Sequence, residues 1–352
     1  MKTLRTKLVL VAALVCGLSC PAQSVVALGQ QLSGVTKVYR GSIGDRNIEM
    51  RLNIQGSNVT GTYSYDGIGE ALTISGHVDD QGRLQLTEYA NRKQTGKFSC
   101  KRSLDDPIGS ECTWSRPDGT HETFVYLSEQ HVATNGYQVT PKIVNDRRSG
   151  VRASYPQITN DRKALTPGAQ AFNRRVFSLV QKAIKEFDPA PDAGRNYFKM
   201  NYNVLFAADD VISVELGEDA YAGGAHPKSA FYSVTYDLAE NKELRLDDLF
   251  KPGADCKSKI AEYVVADIDK RADALEQEEF KRSGQKPQPR EGPLVSVDEL
   301  SEISYWGISP DGLVVYFDFP HVIAVFDKNV VPYSVIKNYL KPNTPVSRFN
   351  KP

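Results

Sequence analysis

Residues 215–227 read Glu-Leu-Gly-Glu-Asp-Ala-Tyr-Ala-Gly-Gly-Ala-His-Pro, and a run with the apolar pattern of a β-strand lies on each side of them. Gly223 and Gly224 can adopt positive φ angles that strain residues with side chains. Pro227 fixes its own φ angle and disfavours helix at His226. The stretch therefore predicts a tight, shaped loop that joins two strands.

The chain around this loop mixes helices and strands. Thr166 and Pro167 suit the N-cap and first position of a helix that reaches residue 187. Further helices are predicted at 256–281 and 332–340. Because strands and helices do not strictly alternate, residues 139–342 are predicted to form an α+β domain, with helices packed on an antiparallel sheet. The predicted strands are 138–144, 197–207, 211–216, 229–238, 303–308 and 313–319, and the rest of 131–154 is read as a polar linker.

Residues 34–130 have a different pattern. Apolar residues alternate with polar ones, as in Ile48, Met50 and Leu52, and Gly, Asp or Asn residues mark turns between the runs. This period of two predicts roughly eight short strands. An all-β meander or small barrel is expected, since closure leaves no long free edge. Its aromatic residues are expected to fill the interior, although a cup for one small ligand is an alternative.

Three cysteines lie in the predicted domains. Cys100 and Cys112 flank a turn that contains Gly, Asp and Pro, and they are predicted to form a disulfide on the inner face of the β-domain. Cys256 has no obvious partner. A buried small side chain is the favoured interpretation of Cys256, ahead of a reactive thiol.

The N-terminal segment predicts export. Residues 1–7 of the segment 1–27 contain three basic residues, and the apolar run 8–18 is too short to span a bilayer. Small residues allow cleavage after Ala27, with Ala22 as a second position, and Cys20 offers a lipidation site. The protein is therefore expected to be periplasmic or secreted, or a lipoprotein, without a transmembrane segment.

The charge balance argues against a nucleic-acid partner. Without the N-terminal segment the chain has 40 basic and 43 acidic residues, whereas nucleic-acid-binding proteins normally carry a basic surplus.

Catalytic motifs are missing from the sequence. It contains no zinc-protease, serine-hydrolase or nucleotide-binding motif, so no catalytic residue and no cofactor is predicted. The five histidines show no metal-ligand spacing, and no metal site is predicted. His226 is the best polar candidate, because Glu218 or Asp219 could orient its ring for acid/base chemistry. Backbone hydrogen bonds that lock the loop are the simpler role for His226. An enzyme is therefore the less favoured class.

An acidic window surrounds the loop. Between residues 209 and 248 there are ten acidic side chains and three basic ones. An acidic surface steers basic partners toward itself, although a solvated face that keeps the protein soluble is the simpler explanation. The predicted binding residues are Glu218, Asp219, Tyr221, Gly223, Gly224 and His226.

Several segments resemble the RsiV-like exported domain. They are Asp-Ala-Tyr-Ala-Gly-Gly-Ala-His-Pro at 219–227, Leu-Arg-Leu-Asp-Asp-Leu-Phe at 244–250 and Tyr-Phe-Asp-Phe-Pro-His-Val-Ile-Ala-Val-Phe at 316–326. The family includes the ectodomain of an anti-sigma factor that is a receptor for lysozyme. The resemblance covers 139–342 and implies a binding module at the cell wall. Val325 and Phe326 stand where the family usually ends this motif in tyrosine.

These features predict an exported, non-enzymatic envelope protein that binds or inhibits a lysozyme-like peptidoglycan hydrolase, in a role that includes immunity. Peptidoglycan itself is a further expected partner. The alternative is a cell-wall polysaccharide-acting enzyme, or an accessory glycan-binding module, that uses His226.

Overall fold

The computed structural model describes residues 34–103, 105–189, 196–284, 286, 290, 292–300 and 302–349. The predicted signal peptide, its cleavage positions and the lipidation site Cys20 lie outside the described residues. Gly34–Pro352 form one unit, which contains a barrel followed by an α+β region.

Eight antiparallel strands close into a barrel. Each strand pairs with the next along the chain, and the first pairs with the eighth through residues 39–43. The predicted barrel is confirmed. Its strands are β1 (Val35–Ile43), β2 (Arg46–Gln55), β3 (Asn58–Tyr65), β4 (Leu72–Val78), β5 (Arg83–Ala90), β6 (Lys93–Ser103), β7 (Ser110–Ser115) and β8 (Thr123–Glu129).

The alternating apolar residues fill the barrel interior. Tyr63 and Phe98 pack edge to face there, with ring centroids 5.6 Å apart. Cys100 and Cys112 are opposite one another in β6 and β7, and both are buried. Their sulfurs are bonded. The predicted disulfide and its inward position are therefore confirmed.

Glu88 is a carboxylate buried in the barrel and held by neutral donors. It accepts hydrogen bonds from the Tyr63 hydroxyl at 2.5 Å, the Thr95 hydroxyl at 2.6 Å and the Trp114 indole N–H at 2.8 Å. Hydrogen bonds to a charged acceptor offset part of the cost of burying it.

The α+β region is built on a sheet of seven strands. Neighbours are antiparallel except for two parallel pairings, of β11 and of β9 with β12. The strands are β9 (Val132–Ala133), β10 (Gln138–Asp146), β11 (Val151–Thr159), β12 (Tyr197–Ala208), β13 (Val211–Tyr221), β14 (Lys228–Asp237) and β15 (Lys242–Glu243).

The predicted strand at 138–144 is confirmed as part of β10. The predicted linker is wrong over residues 145–154, because β10 and β11 form a hairpin in register from Gln138 to Thr159. The polar residues between them are a hairpin turn in which Gly150 has a φ of +71°. The strand pattern of β11 is masked by Pro156, which pairs with Pro141 across the ladder.

Helix α1 (Pro167–Glu186) covers one face of the seven-stranded sheet. The Thr166 side chain accepts the N–H of Ala169 at 3.2 Å, which confirms the predicted N-cap. Apolar residues such as Phe172 and Val176 pack against Ile212 of β13 and its neighbours.

The opposite face of the sheet is partly polar and binds a second, three-stranded sheet. Ser233 on β14 accepts the N–H of Trp306 at 2.9 Å and donates to its carbonyl at 2.8 Å. Ser213 on β13 accepts the N–H of Ile308 at 3.0 Å. The small sheet consists of β16 (Tyr305–Ile308), β17 (Leu313–Tyr316) and β18 (Lys328–Val331).

Helix α2 (Cys256–Ser283) packs in the core on this second side, with Ile260, Val264 and Ile268 buried. Cys256 is buried and free, as its favoured interpretation predicts. The predicted last helix is too long, because α3 covers only Tyr333–Ile336. Single 3-10 turns occur at Leu246–Leu249, Asp298–Leu300, His321–Phe326 and Pro345–Arg348. No helix within the described residues is both long and apolar enough to cross a membrane.

The barrel docks on β12 through buried polar contacts. Arg40 of β1 is 1% exposed, and its guanidinium lies 4.1 Å above the Tyr202 ring. The Asn201 amide donates to the Gly41 carbonyl at 2.9 Å, and Asn47 donates to the Met200 carbonyl at 3.1 Å. The fold class, a barrel followed by an α+β region, is therefore confirmed.

Candidate functional site

The predicted loop is shorter than expected, because β13 continues to Tyr221. Glu218 pairs with Ala230 and Asp219 with Ser229 in the β13–β14 ladder. Gly, Glu and Asp have low strand propensity, but cross-strand pairing outweighs it here. Only residues 222–227 form the connection.

Glu218 and Asp219 are adjacent in a strand, so their side chains lie on opposite faces of the sheet. Glu218 accepts the Tyr232 hydroxyl at 2.7 Å. Asp219 accepts the Tyr197 hydroxyl at 3.1 Å and lies 4.0 Å from the Lys199 ammonium. Burial, together with Asp219, raises the pKa of Tyr197 to about 12. The structure thus gives both carboxylates partners other than His226.

The connection itself has the geometry that its glycines predict. Gly223 and Gly224 have φ angles of +101° and +110°. The Tyr221 hydroxyl donates to the Gly224 carbonyl at 2.9 Å and braces the turn. Tyr221 therefore supports the loop from inside the hairpin.

The exposed His226 ring stacks on His321. Their centroids are 4.7 Å apart and the rings are 15° from parallel. His321 begins the 3-10 turn that precedes β18. The pair therefore bridges the β13–β14 connection and a segment far along the chain, a contact that sequence reasoning missed. The motif at 316–326 contains His321 and was the available signal.

A groove of about 590 Å³ lies beside this histidine pair. Lys228, two residues after His226, and Pro320, which precedes His321, both line it. Its other walls come from β14, from residues 294–305 and from residues 316–327. Three separated segments therefore build one concavity.

Aromatic side chains line much of the groove. Tyr232 and Tyr305 meet edge to face with centroids 5.4 Å apart. Phe317 and Phe319 stack at 5.6 Å. Burial, reinforced by Glu218, raises the pKa of Tyr232, so its hydroxyl keeps its proton. These rings give the groove flat apolar surfaces beside polar groups.

Asp327 is the buried carboxylate of the groove, with only 3% of its surface exposed. Its Oδ1 accepts the N–H of Phe319 at 3.0 Å. Burial raises the pKa of Asp327 to about 6, the Phe319 N–H opposes this shift, and nearby Asp318 adds to it. A carboxyl group with this pKa changes charge near neutral pH, a property common at functional sites.

The acidic window around the loop is largely neutralised by the fold. Six of its ten carboxylates form salt bridges, and five of their cations come from outside the window. The carboxylates are Asp210, Glu215, Asp219, Glu243, Asp247 and Asp248. The window therefore does not act as one free acidic face.

Within the residues that the structure describes, no three His, Cys, Asp or Glu side chains converge as they would around a metal ion.

The groove overlaps a region that matches a known family. Residues 247–327 match the family described as "Protein of unknown function (DUF3298)". The C-terminal region carries a DUF3298 domain. Two solved structures of DUF3298 family proteins are similar to the chain. The one from Bacteroides fragilis NCTC 9343 is 12% identical, with a TM-score of 0.39 over 61% of this chain and 96% of that one. The one from Pseudomonas aeruginosa PAO1 is 14% identical, with a TM-score of 0.37 over 59% and 94%.

A curated relative comes from Bacillus subtilis (strain 168). It is the peptidoglycan-N-acetylmuramic acid deacetylase PdaC, 23% identical over 203 residues, which are 56% of this chain and 41% of the relative. The chain therefore spans less than half of the length of this relative.

The similarity to the curated relative corrects the functional prediction. The prediction of a non-enzymatic protein that binds or inhibits a lysozyme-like hydrolase is wrong, because the curated similarity is to an enzyme named for peptidoglycan itself. Neutralisation of the acidic window also removes the electrostatic reason for a basic protein partner. The polysaccharide-directed alternative is better supported.

Proposed function

We propose that this protein is an exported cell-wall protein whose α+β region binds cell-wall polysaccharide in the groove beside His226 and His321. The groove, lined by aromatic rings and carboxylates, carries the proposal. The similarity to a peptidoglycan deacetylase supports this ligand class. The resemblance of residues 139–342 to the RsiV-like exported domain stays a prediction.

The chemistry of the groove suits a sugar chain. A sugar ring has apolar C–H faces that pack on aromatic side chains, and Tyr305 and Phe319 offer such surfaces. Its hydroxyl groups donate to carboxylates, which are available along the same walls. Concave sites of this size with a few polar groups are typical ligand sites. His226 and His321 lie beside the groove and are expected to contact a chain that extends past its end.

Export is supported by two features. The Cys100–Cys112 disulfide fits an oxidising compartment. The basic and apolar N-terminal segment has the order of a signal peptide. A periplasmic or secreted protein would meet the cell-wall polymer directly.

A binding experiment tests the proposal. Purified peptidoglycan is incubated with the protein, sedimented, and the bound fraction measured, and soluble hexosamine oligomers are then titrated by calorimetry. Phe319→Ala is expected to weaken binding about tenfold, since one aromatic contact contributes about 1.5 kcal/mol. Phe124→Ala is the matched control, because Phe124 is 59% exposed on the barrel. If the wild-type protein is not retained by any cell-wall polymer, the proposal fails.

A second candidate function is an enzyme that acts on the same polymer. The observation in its favour is Asp327, whose pKa is raised by burial to about 6 and which could transfer a proton near neutral pH. Products released from peptidoglycan are measured by mass spectrometry. Release that Asp327→Asn abolishes, in a protein that still folds, would favour the enzyme. No release by the wild-type protein would leave binding as the function.

A further inference from the structure

The charges of the groove walls are unbalanced. Four carboxylates line the groove, namely those of Glu299, Glu302, Asp318 and Asp327, and one ammonium, that of Lys228. Among the described residues none of these carboxylates forms a salt bridge, whereas most of the acidic window is paired. The fold therefore pairs most carboxylates around the loop with cations, whereas it leaves the carboxylates of the groove without them.

Asp327 is the buried one of these four carboxylates, and an unpaired charge is most destabilising in a buried position. Its Oδ1 accepts one backbone N–H, but its Oδ2 has no hydrogen-bond donor among the described residues. Asp327 as a residue is only 3% exposed, so few water molecules can reach its carboxyl group. A mostly buried carboxylate with a single hydrogen bond and no cation is destabilising. A donor on a ligand in the groove would complete its hydrogen bonds.

The two exposed carboxylates at the rim of the groove, Glu302 and Asp318, indicate a ligand with a cationic donor. Glu302 and Asp318 are exposed, and neither has a hydrogen bond or salt bridge among the described residues. Asp318 lies close enough to Asp327 to raise the pKa of the Asp327 carboxyl. A neutral ligand would leave both charges facing each other, whereas a ligand cation between them would relieve the repulsion.

We propose that the groove selects hexosamine chains with free amino groups over chains whose amino groups are acetylated. This inference rests on the proposed function and names its ligand class. The protonated amino group carries three N–H donors, and one of them would supply the donor that Asp327 Oδ2 lacks. The sugar ring packs on Tyr305 and Phe319, where a cation is also favoured by the aromatic faces. An acetylated amino group carries no charge and cannot neutralise the rim.

Two probes of equal chain length test this selection. The tetramer of glucosamine and the tetramer of N-acetylglucosamine are titrated into the full chain by calorimetry at about pH 6.5, where alkyl amines are protonated. The glucosamine tetramer is expected to bind at least about tenfold more tightly, and its advantage is expected to shrink at high ionic strength.

Three variants locate the selection. Asp327→Asn and Glu302→Gln are each expected to reduce the affinity ratio of the two tetramers, and Glu302 is exposed, so its substitution does not endanger folding. Glu122→Gln is the matched control, an exposed carboxylate of the barrel. An unchanged ratio in both groove variants would overturn the assignment to this groove.

The outcomes separate the two proposals. Equal affinity for the tetramers, or tighter binding of the acetylated one, would overturn the selection and leave polysaccharide binding intact. If neither tetramer binds and peptidoglycan is not retained, both proposals fail.

Discussion

Asp327 and Lys328 are neighbours in the chain, but they lie in two regions that treat buried charge differently. Lys328 enters a cluster between the two sheets, together with Glu215, Tyr316 and Asn203. There the Lys328 ammonium lies 2.9 Å from Glu215 Oε2, the Tyr316 hydroxyl donates to the same oxygen, and Asn203 donates to Oε1 at 2.5 Å. Asp327 enters the groove and receives a single backbone N–H.

The difference separates a structural site from a candidate binding site. Burial lowers the pKa of Lys328, but the Glu215 carboxylate and the Tyr126 hydroxyl together outweigh burial, so the pKa is raised and the ammonium stays charged. Burial raises the pKa of Asp327 with no cation to oppose it. A buried charge that lies beside an opposite charge is stabilised within the fold. The Asp327 carboxyl group has no cation beside it among the described residues, which leaves bonding capacity for a ligand.

The largest expected effect comes from breaking the ion pair of Lys328 and Glu215 between the two sheets. Lys328→Met leaves Glu215 buried without its cation, and we expect the free energy of unfolding to fall by about 3–5 kcal/mol. Urea denaturation measures the change. Adding Glu215→Gln to Lys328→Met should recover a large part of it, because the buried charge is gone.

Lys199→Met is the matched control, since its pair with Asp219 is partly exposed and 4.0 Å long. We expect a loss below about 1 kcal/mol. Equal losses at the two lysines would contradict the contrast between a buried network and a surface pair.

The next effect has the opposite sign. The pKa of Asp327 is raised from 3.8 to about 6, so between these values the native state holds a proton that the unfolded chain releases. The free energy of unfolding of the wild-type protein therefore falls as the pH rises from 3.8 to about 6, and it stays lower at higher pH. Asp327→Asn should be about as stable as wild type below pH 4 and more stable at pH 7.5, by up to about 2–3 kcal/mol.

Chemical denaturation of both proteins across this pH range tests the linkage. Glu122→Gln is the control, because its exposed side chain belongs to the barrel and should change stability by less than about 0.5 kcal/mol. A stability difference between wild type and Asp327→Asn that does not change with pH would rule out the raised pKa.

A smaller loss is expected in the barrel, where Glu88 is the third carboxylate of the comparison. Three neutral donors point at it. Glu88→Gln replaces one acceptor oxygen by an NH₂ group that faces a donor, and we expect a loss of about 1–2 kcal/mol. Thermal unfolding measures it. A gain in stability would show that Glu88, like Asp327, is incompletely satisfied.

The smallest effect on stability is expected at the histidine pair beside the groove. His226→Ala and His321→Ala remove a stacked pair of exposed rings, and each should change the free energy of unfolding by less than about 0.5 kcal/mol. Each should weaken polysaccharide binding several-fold, as measured by calorimetry. His77→Ala, an exposed histidine of the barrel, is the control. Unchanged binding in both histidine variants would place the ligand elsewhere in the groove.

Local signals in the chain predicted much of the architecture. Strict alternation identified the barrel, since period-two burial follows from strand geometry. Thr166 and Pro167 marked the start of α1 because capping involves only neighbouring residues. Extended regions with unusual residues were less predictable. Strand β11 was not predicted because it contains Pro156. The predicted end of β13 was too early because Gly, Glu and Asp follow Leu216.

The conformation of the β13–β14 connection was predictable, because the φ angles of Gly223 and Gly224 depend on adjacent residues. That the predicted residues of this connection bind a ligand stays a prediction. The burial of Asp327 was not predictable, because it depends on the packing of three distant segments. The acidic window misled for the same reason, since its counter-ions come from remote parts of the chain.

The amino-acid sequence by itself determined the barrel, the disulfide of Cys100 and Cys112, the main helices and the turn at the two glycines. Each of these depends on periodicity or on contacts between near neighbours. Only the tertiary structure decided which charges are neutralised, that His226 stacks on His321, and that one Asp327 oxygen has no donor within the described part of the chain. Those outcomes depend on distances between residues that the chain itself keeps far apart, and electrostatic and hydrogen-bond energies fall off within a few ångströms.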